Sequence, residues 1–181
     1  YDVCAGFDAR DPYSLPAQSG WEAGLGSTDL TGLRVAISPD LGSAVLADTV
    51  RSRVHEAGNA LLEATGMQLV DIDVSMPSIT WEWAIANQAG LYKEVGDLWP
   101  ECEEQMTKSM AFGVRMGLER FNIEIAARVE AGRTEANRCM ADLFDKVDVV
   151  ICASNPDVAF PAEVESNTRV AGEKAPPGNN G

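Results

Sequence analysis

Leu33, Val35 and Ile37 alternate with Arg34, Ala36 and Ser38, a period of two that predicts a short strand, and Pro39 ends it. Beyond it the period changes. Leu46, Val50, Val54, Ala57, Leu61 and Ala64 recur at spacings of three and four, which predicts a helix over 44–65 with one apolar stripe. Ser43 is placed to cap its start, and Gly66 stands where a left-handed cap closes a helix. Val70, Ile72 and Val74 then alternate with Asp71 and Asp73, so a second strand is expected over 69–74 with one buried face, closed by Pro77. Strand, helix and strand make a βαβ unit, a crossover that is almost always right-handed and implies parallel neighbours.

Helical periods dominate the middle of the chain, over 79–95, 102–118 and 122–145; the last carries Ile125, Val129, Ala136, Met140 and Leu143 on one stripe. The continuous apolar run over 148–153 predicts a third strand, of the kind covered on both faces. Residues 1–31 are read as irregular, punctuated by Asp11-Pro12, Leu15-Pro16, Gly20, Gly24 and Gly26, and 162–181 likewise, with a tail from Lys174 that has no hydrophobic pattern. The fold class is α/β, in one domain over 1–181. Three strands are few for that length, since a sheet usually has about five or six. Either strands escape the pattern, or part of the sheet belongs to residues outside this sequence.

Composition narrows the function. Of 181 residues 45% are hydrophobic and 23% charged, which describes a globular chain with a core. The net charge of −14 repels phosphate backbones, so no nucleic-acid partner is expected. No apolar run nears the roughly 18 residues of a membrane span, and no membrane partner is expected. The start, Tyr1-Asp2-Val3-Cys4, has no initiator Met, no basic region and no apolar stretch; it fits a processed start or a position inside a longer gene. Cys4, Cys102, Cys139 and Cys152 fit no metal spacing. Cys139 and Cys152 are read as small core residues of a reducing compartment, hence a cytoplasmic location.

Candidate chemistry is sparse. His55 is the one histidine, flanked at helical spacing by Arg51 and Asn59, and is read as a surface residue rather than a base. One histidine also argues against zinc, and Gly24-Leu25-Gly26 lacks the strand and helix of a phosphate loop. Asp71 and Asp73 read as the solvent face of a strand, and Glu101, Glu103 and Glu104 as the acidic first turn of a helix. Trp81, Trp83, Trp99 and Tyr92 read as packing residues. No metal and no cofactor are expected, and no set of residues here assembles a catalytic centre.

Several ordered segments carry a family resemblance. Gly6-Phe7-Asp8-Ala9-Arg10-Asp11-Pro12-Tyr13-Ser14 is similar to the Gly-x-Asp-x-x-Asp-Pro-x-Ser stretch that follows the catalytic core of amidase signature enzymes, the Ser-cisSer-Lys amide hydrolases. The strand and turn from Leu33 to Gly42, the helix ending at Phe144 with Asp148-Val149-Val150-Ile151, and Asn155-Pro156-Asp157-Val158-Ala159-Phe160-Pro161 resemble later parts of that fold. Ala153 and Ser154 stand where that family usually has Pro and Thr. Asn179-Asn180-Gly181 is similar to the start of the family's Asn-x-x-Gly-x-Pro stretch.

The resemblance implies a partial amidase-like mixed sheet, its parallel βαβ unit covered by several helices, in a hydrolase of carbon–nitrogen bonds acting on a small-molecule amide. In that family a lysine and a cis-bonded serine activate a nucleophilic serine, and a Gly- and Ser-rich loop holds the oxyanion. Ser14, Ser19, Ser27 and Ser38 have no such context, and Lys93, Lys108, Lys146 and Lys174 have no matching partner, so no catalytic residue carries over. What carries over is pocket lining by Asn155, Pro156, Ala159 and Phe160 in the loop after the third strand. Ser38 and Asp40 are read as turn chemistry. The chain is thus expected to be an amidase fragment, inactive alone and prone to self-association through an uncovered sheet edge or helix faces. The alternative is a non-catalytic α/β binding or interaction module.

Overall fold

A computed structural model describes residues 2–3, 5–163 and 169–174. Cys4 and the resemblance at Asn179-Asn180-Gly181 lie outside the described residues. Strand β1, Arg34–Ile37, is the centre of a three-stranded parallel sheet, flanked by β2, Gln68–Leu69, and β3, Val149–Ile151. Helix α1, Asp48–Thr65, crosses from β1 to β2; α2, Thr80–Val95, α3, Lys108–Arg120, and α4, Ile123–Phe144, fill the long return to β3. The fold is α/β, with the parallel βαβ unit that the alternating periods predict.

Central placement explains β1. Val35 and Ala36 point to opposite faces, and both are buried. On one of these faces Ala36 packs with Val74, Leu143 and Val147, so the end of α4 and the segment after β2 share its core. The second strand is shorter than its pattern: only Gln68 and Leu69 pair with β1, and the Val70 N–H to Val35 carbonyl bond at 2.8 Å extends the contact. The alternation persists without a ladder, with Val74 buried and Asp71 and Asp73 exposed. Within the stretch expected to be irregular, β4, Arg169–Val170, pairs antiparallel with β5, Glu173–Lys174.

Helix α1 begins later than expected. Ser43 does not cap it; its N-cap is Ala47, without a side-chain cap, and the Ala47 N–H bonds the Pro156 carbonyl at 2.9 Å. The intervening chain is held instead by Ser43 and Ala44 N–H groups on the Asp40 carbonyl. Gly66 caps the C-terminus in the left-handed region, its N–H on the Leu62 carbonyl. The buried face also differs from the predicted stripe. Ala57, Leu61 and Ala64 are exposed, and the close contact with β1 runs through Gly58, where a Cβ would stand 2.7 Å from Ile37 Cδ1. The helix predicted over 102–118 is broken into a 3₁₀ turn at Glu103–Gln105 and α3, which starts where Thr107 accepts the Met110 N–H.

Two cysteine and strand expectations are corrected. Strand β3 is an edge strand and its three residues are only half-buried, so it is not covered on both faces; Cys152 just beyond it is exposed, and Cys139 is half-buried.

The start of the sheet is fastened by charge. Arg34 grips Asp148 through Nη2 at 2.8 Å and Nε at 3.1 Å, while the Arg34 N–H donates to Asp148 Oδ2 at 2.8 Å. The Arg34 guanidinium and backbone N–H hold the Asp148 carboxyl down at about 2. A carboxyl depressed in the folded state stabilises above its unfolded value, and that contribution is lost as pH falls through the folded one. Asp148→Asn is therefore expected to lower the melting temperature at neutral pH, with the gap to wild type closing between about pH 4 and 2. A melting-temperature gap independent of pH would remove this linkage.

Candidate functional site

Turns at the carboxyl ends of parallel strands build the site. After β1 the pairing with β3 continues through Ser38 N–H to the Ile151 carbonyl at 2.9 Å and Ala153 N–H to the Pro39 carbonyl at 3.0 Å, and the two chains then separate. Leu41 and Gly42 reverse the first chain with φ of 51° and 74°. Asp40 locks that reversal: Oδ1 accepts the Gly42 N–H at 2.9 Å and Oδ2 accepts Arg51 Nη1 at 2.6 Å. Partial burial pushes the Asp40 carboxyl up, but the Gly42 N–H and the Arg51 guanidinium outweigh it, so it lies below the usual carboxylate range. The Met76 N–H on the Leu41 carbonyl, 2.9 Å, ties the turn to the segment after β2.

Between these turns and two helices lies a pocket of about 630 Å³, within the range of small-molecule sites. Its wall is formed by Pro39 to Leu41 after β1, Met76 to Thr80 and Trp83 from the entry into α2, Ala136, Asn137 and Met140 from α4, and Ala153 to Pro156 after β3. Ligands of open α/β sheets bind at this end of the strands.

The loop after β3 is pinned from outside. Asp157 Oδ1 accepts the Val158 N–H at 2.8 Å and Oδ2 the Ala171 N–H at 2.9 Å, and these two donors, Ala171 first, lower its pKa. Val170 in turn is buried against Ala47, so the β4–β5 ladder, the loop and the start of α1 form one support.

Of the four residues expected as pocket lining, Asn155 and Pro156 lie on this wall, whereas Ala159 and Phe160 are exposed and do not. Sequence reasoning did not single out Met76, Trp83, Asn137 and Met140 as wall residues, and it assigned Asp40 to the turn alone. The available signal was the position of Met76-Pro77 directly after the second alternating run, although only Gln68 and Leu69 of that stretch pair with β1.

The remaining candidates serve structure. Ser14 Oγ accepts the Asp8 N–H at 2.9 Å and donates to the Gly6 carbonyl at 3.3 Å, so the Gly6-to-Ser14 motif closes on itself as a knot of turns. Ser27 Oγ donates to the Gly24 carbonyl at 2.7 Å. His55 is exposed on α1, away from the wall. Trp81 lies under the Arg128 guanidinium, 4.7 Å from its ring centre, and Arg128 Nε also bonds the buried Glu82 at 2.8 Å. Among the described residues no three His, Cys, Asp or Glu side chains converge as a metal site, and no helix is long and apolar enough to cross a membrane.

No family model matches the chain, and no curated protein does. Its fold is similar to that of a bacterial aryl acylamidase belonging to the amidase signature family. That match has a TM-score of 0.76 at 19% identity, over 97% of this chain and 38% of that one. The chain thus spans well under half the length of the solved enzyme whose fold it shares.

Proposed function

We propose that residues 1–181 are the substrate-wall portion of an amidase-type hydrolase of carbon–nitrogen bonds, and that they are catalytically incomplete by themselves. The observation that carries the reading is the superposition of nearly the whole chain on a minor part of an aryl acylamidase fold. The order of the motifs from Gly6 to Pro161 supports it, as does the pocket at the carboxyl ends of β1 and β3. In this reading the described residues orient the amide and shield it from water, while the serine pair and lysine come from other sequence. Large apolar side chains left exposed, such as Leu69 at the outer strand β2 and Phe112 and Ile123 on the helices, suit a segment that further chain covers.

The test has two parts. Purified 1–181 is expected to show no amide turnover and no labelling by a fluorophosphonate that traps active serines, and robust turnover would overturn the incompleteness. The coding sequence upstream of Tyr1 is expected to encode, in frame, a Gly- and Ser-rich loop with the catalytic serines and lysine. A start codon directly before Tyr1 with a stop after Gly181 would favour the interaction module instead.

A further inference from the structure

Behind the pocket rim stands a hairpin that contributes no side chain to it. Ser43, Ala44 and Leu46 line the pocket from one side and Ala153 to Pro156 from another, whereas Asp157 and residues 169–174 do not line it. Yet the β4–β5 hairpin is bound to both of these segments from outside. Val170, 2% exposed, packs on Ala47 together with Val45 and Val50. Ala47 donates its N–H to the Pro156 carbonyl, and Asp157 Oδ2 accepts the Ala171 N–H from the hairpin turn. Two stretches of rim, more than a hundred residues apart in sequence, are thus joined to each other and to one hairpin.

This hairpin is built to open separately from the rest. Its ladder is two residue pairs long, too short to stand alone in water. Among residues 169–174 only Val170 is buried, and its apolar cluster is distinct from the core around Ala36. An element with so little buried surface opens at lower free energy than the whole fold. The turn also carries strain. Ala171 and Gly172 have φ of 50° and 85°, the two left-handed positions of a tight hairpin turn, and the first of them is filled by a residue with a Cβ. The Asp157 carboxylate takes the N–H of that strained residue in a charge-assisted bond.

We propose that β4–β5 is a strap that docks and releases as a unit, that Asp157 is its latch, and that docking fixes the pocket rim at 43–47 and 153–158. Asp157 is then a positioning residue, acting on the rim through the Ala171 N–H, Val170 and Ala47. On release Ala47 loses its apolar cover, water reaches the Ala47–Pro156 hydrogen bond, and the two sides of the rim are no longer held together. Such a strap governs the rim whatever chemistry the pocket serves, so its test needs no turnover and is independent of the hydrolase reading.

Hydrogen exchange of the 181-residue chain, read by mass spectrometry at neutral pH, tests the strap with two substitutions of opposite sign. Asp157→Asn keeps the shape of the side chain and removes its charge. It is expected to speed exchange in 43–50, 153–158 and 169–174 by about tenfold, with 34–37 and 54–65 at wild-type rates. Ala171→Gly takes the Cβ out of the left-handed position and is expected to slow exchange in the same three stretches by about threefold. Changes confined to 169–174 would show that the rim does not depend on the hairpin and would overturn the strap. Equal acceleration throughout, β1 included, would mean that the hairpin opens only with the whole fold, which overturns it as well. Wild-type rates in Asp157→Asn would remove that residue as the latch.

Discussion

Gly42→Ala is expected to destabilise the fold by about 2–5 kcal/mol. Two independent costs act at this position. Gly42 has φ of 74°, where an L side chain is strained by about 1–2 kcal/mol. A Cβ there also runs into the Val74 carbonyl oxygen, with Ser75 Cα 3.0 Å away on the same segment after β2. Both obstacles are backbone, so neither rotates aside, and relieving them moves the 39–42 turn away from 74–76, which adds about 1–3 kcal/mol. Both segments reach the pocket wall, one through Pro39 to Leu41 and the other through Met76, and the Leu41–Met76 hydrogen bond joins them. Neighbouring Leu41, at φ 51°, already bears the strain of a left-handed residue, and its side chain offsets it by packing on the core of Ala36, Val74, Leu143 and Val147. An alanine at 42 has no such compensation. Urea unfolding with an unchanged midpoint would show that the turn yields without cost.

Gly42 also marks where sequence reading stops being sufficient. The alternation around Val35 was legible because burial imposes a period on local sequence, and so was the existence of the helix after Ser43, although Ala57, Leu61 and Ala64 of its predicted stripe are exposed. Gly66 was legible too, because a left-handed cap selects one residue type. What was not legible depended on distant partners. The helix cap moved from 43 to 47, where the Ala47 N–H is taken by the Pro156 carbonyl, more than a hundred residues on. The apolar run at Val149 to Ile151 has the composition of a fully covered strand, yet β3 lies at the sheet edge and all three residues are only half-buried among the described residues. The pocket wall was legible only at Asn155 and Pro156, through family resemblance. Trp83, Asn137 and Met140 come from helices whose periodicity records packing and not which end of the sheet they overhang.

The second large effect is expected where α2 and α3 touch. Gly113 and Gly117 lie one turn apart on α3, and both face Gln88 of α2, but the obstacles differ in kind. At Gly113 an added Cβ first meets Gln88 Oε1, the far end of a flexible side chain that swings away. Alanine there also gains about 1 kcal/mol of helix propensity over glycine, so Gly113→Ala is expected to be neutral or slightly stabilising. At Gly117 the added Cβ meets Gln88 Cβ at 2.9 Å, with Gln88 backbone carbon at 3.6 Å. A Cβ is fixed by its own backbone, so the relief is a separation of two helices. Gly117→Leu has to displace α2 by more than one carbon atom. A loss of about 3 kcal/mol is expected, the upper part of the range for overpacked cores, reduced only slightly by leucine's better helix propensity. The entry into α2 carries Thr80 and Trp83 on the pocket wall, so the same substitution is expected to disturb that wall, whereas Gly113→Ala leaves it intact. Equal unfolding midpoints for the two variants would mean that α2 and α3 are not in fixed contact at Gln88.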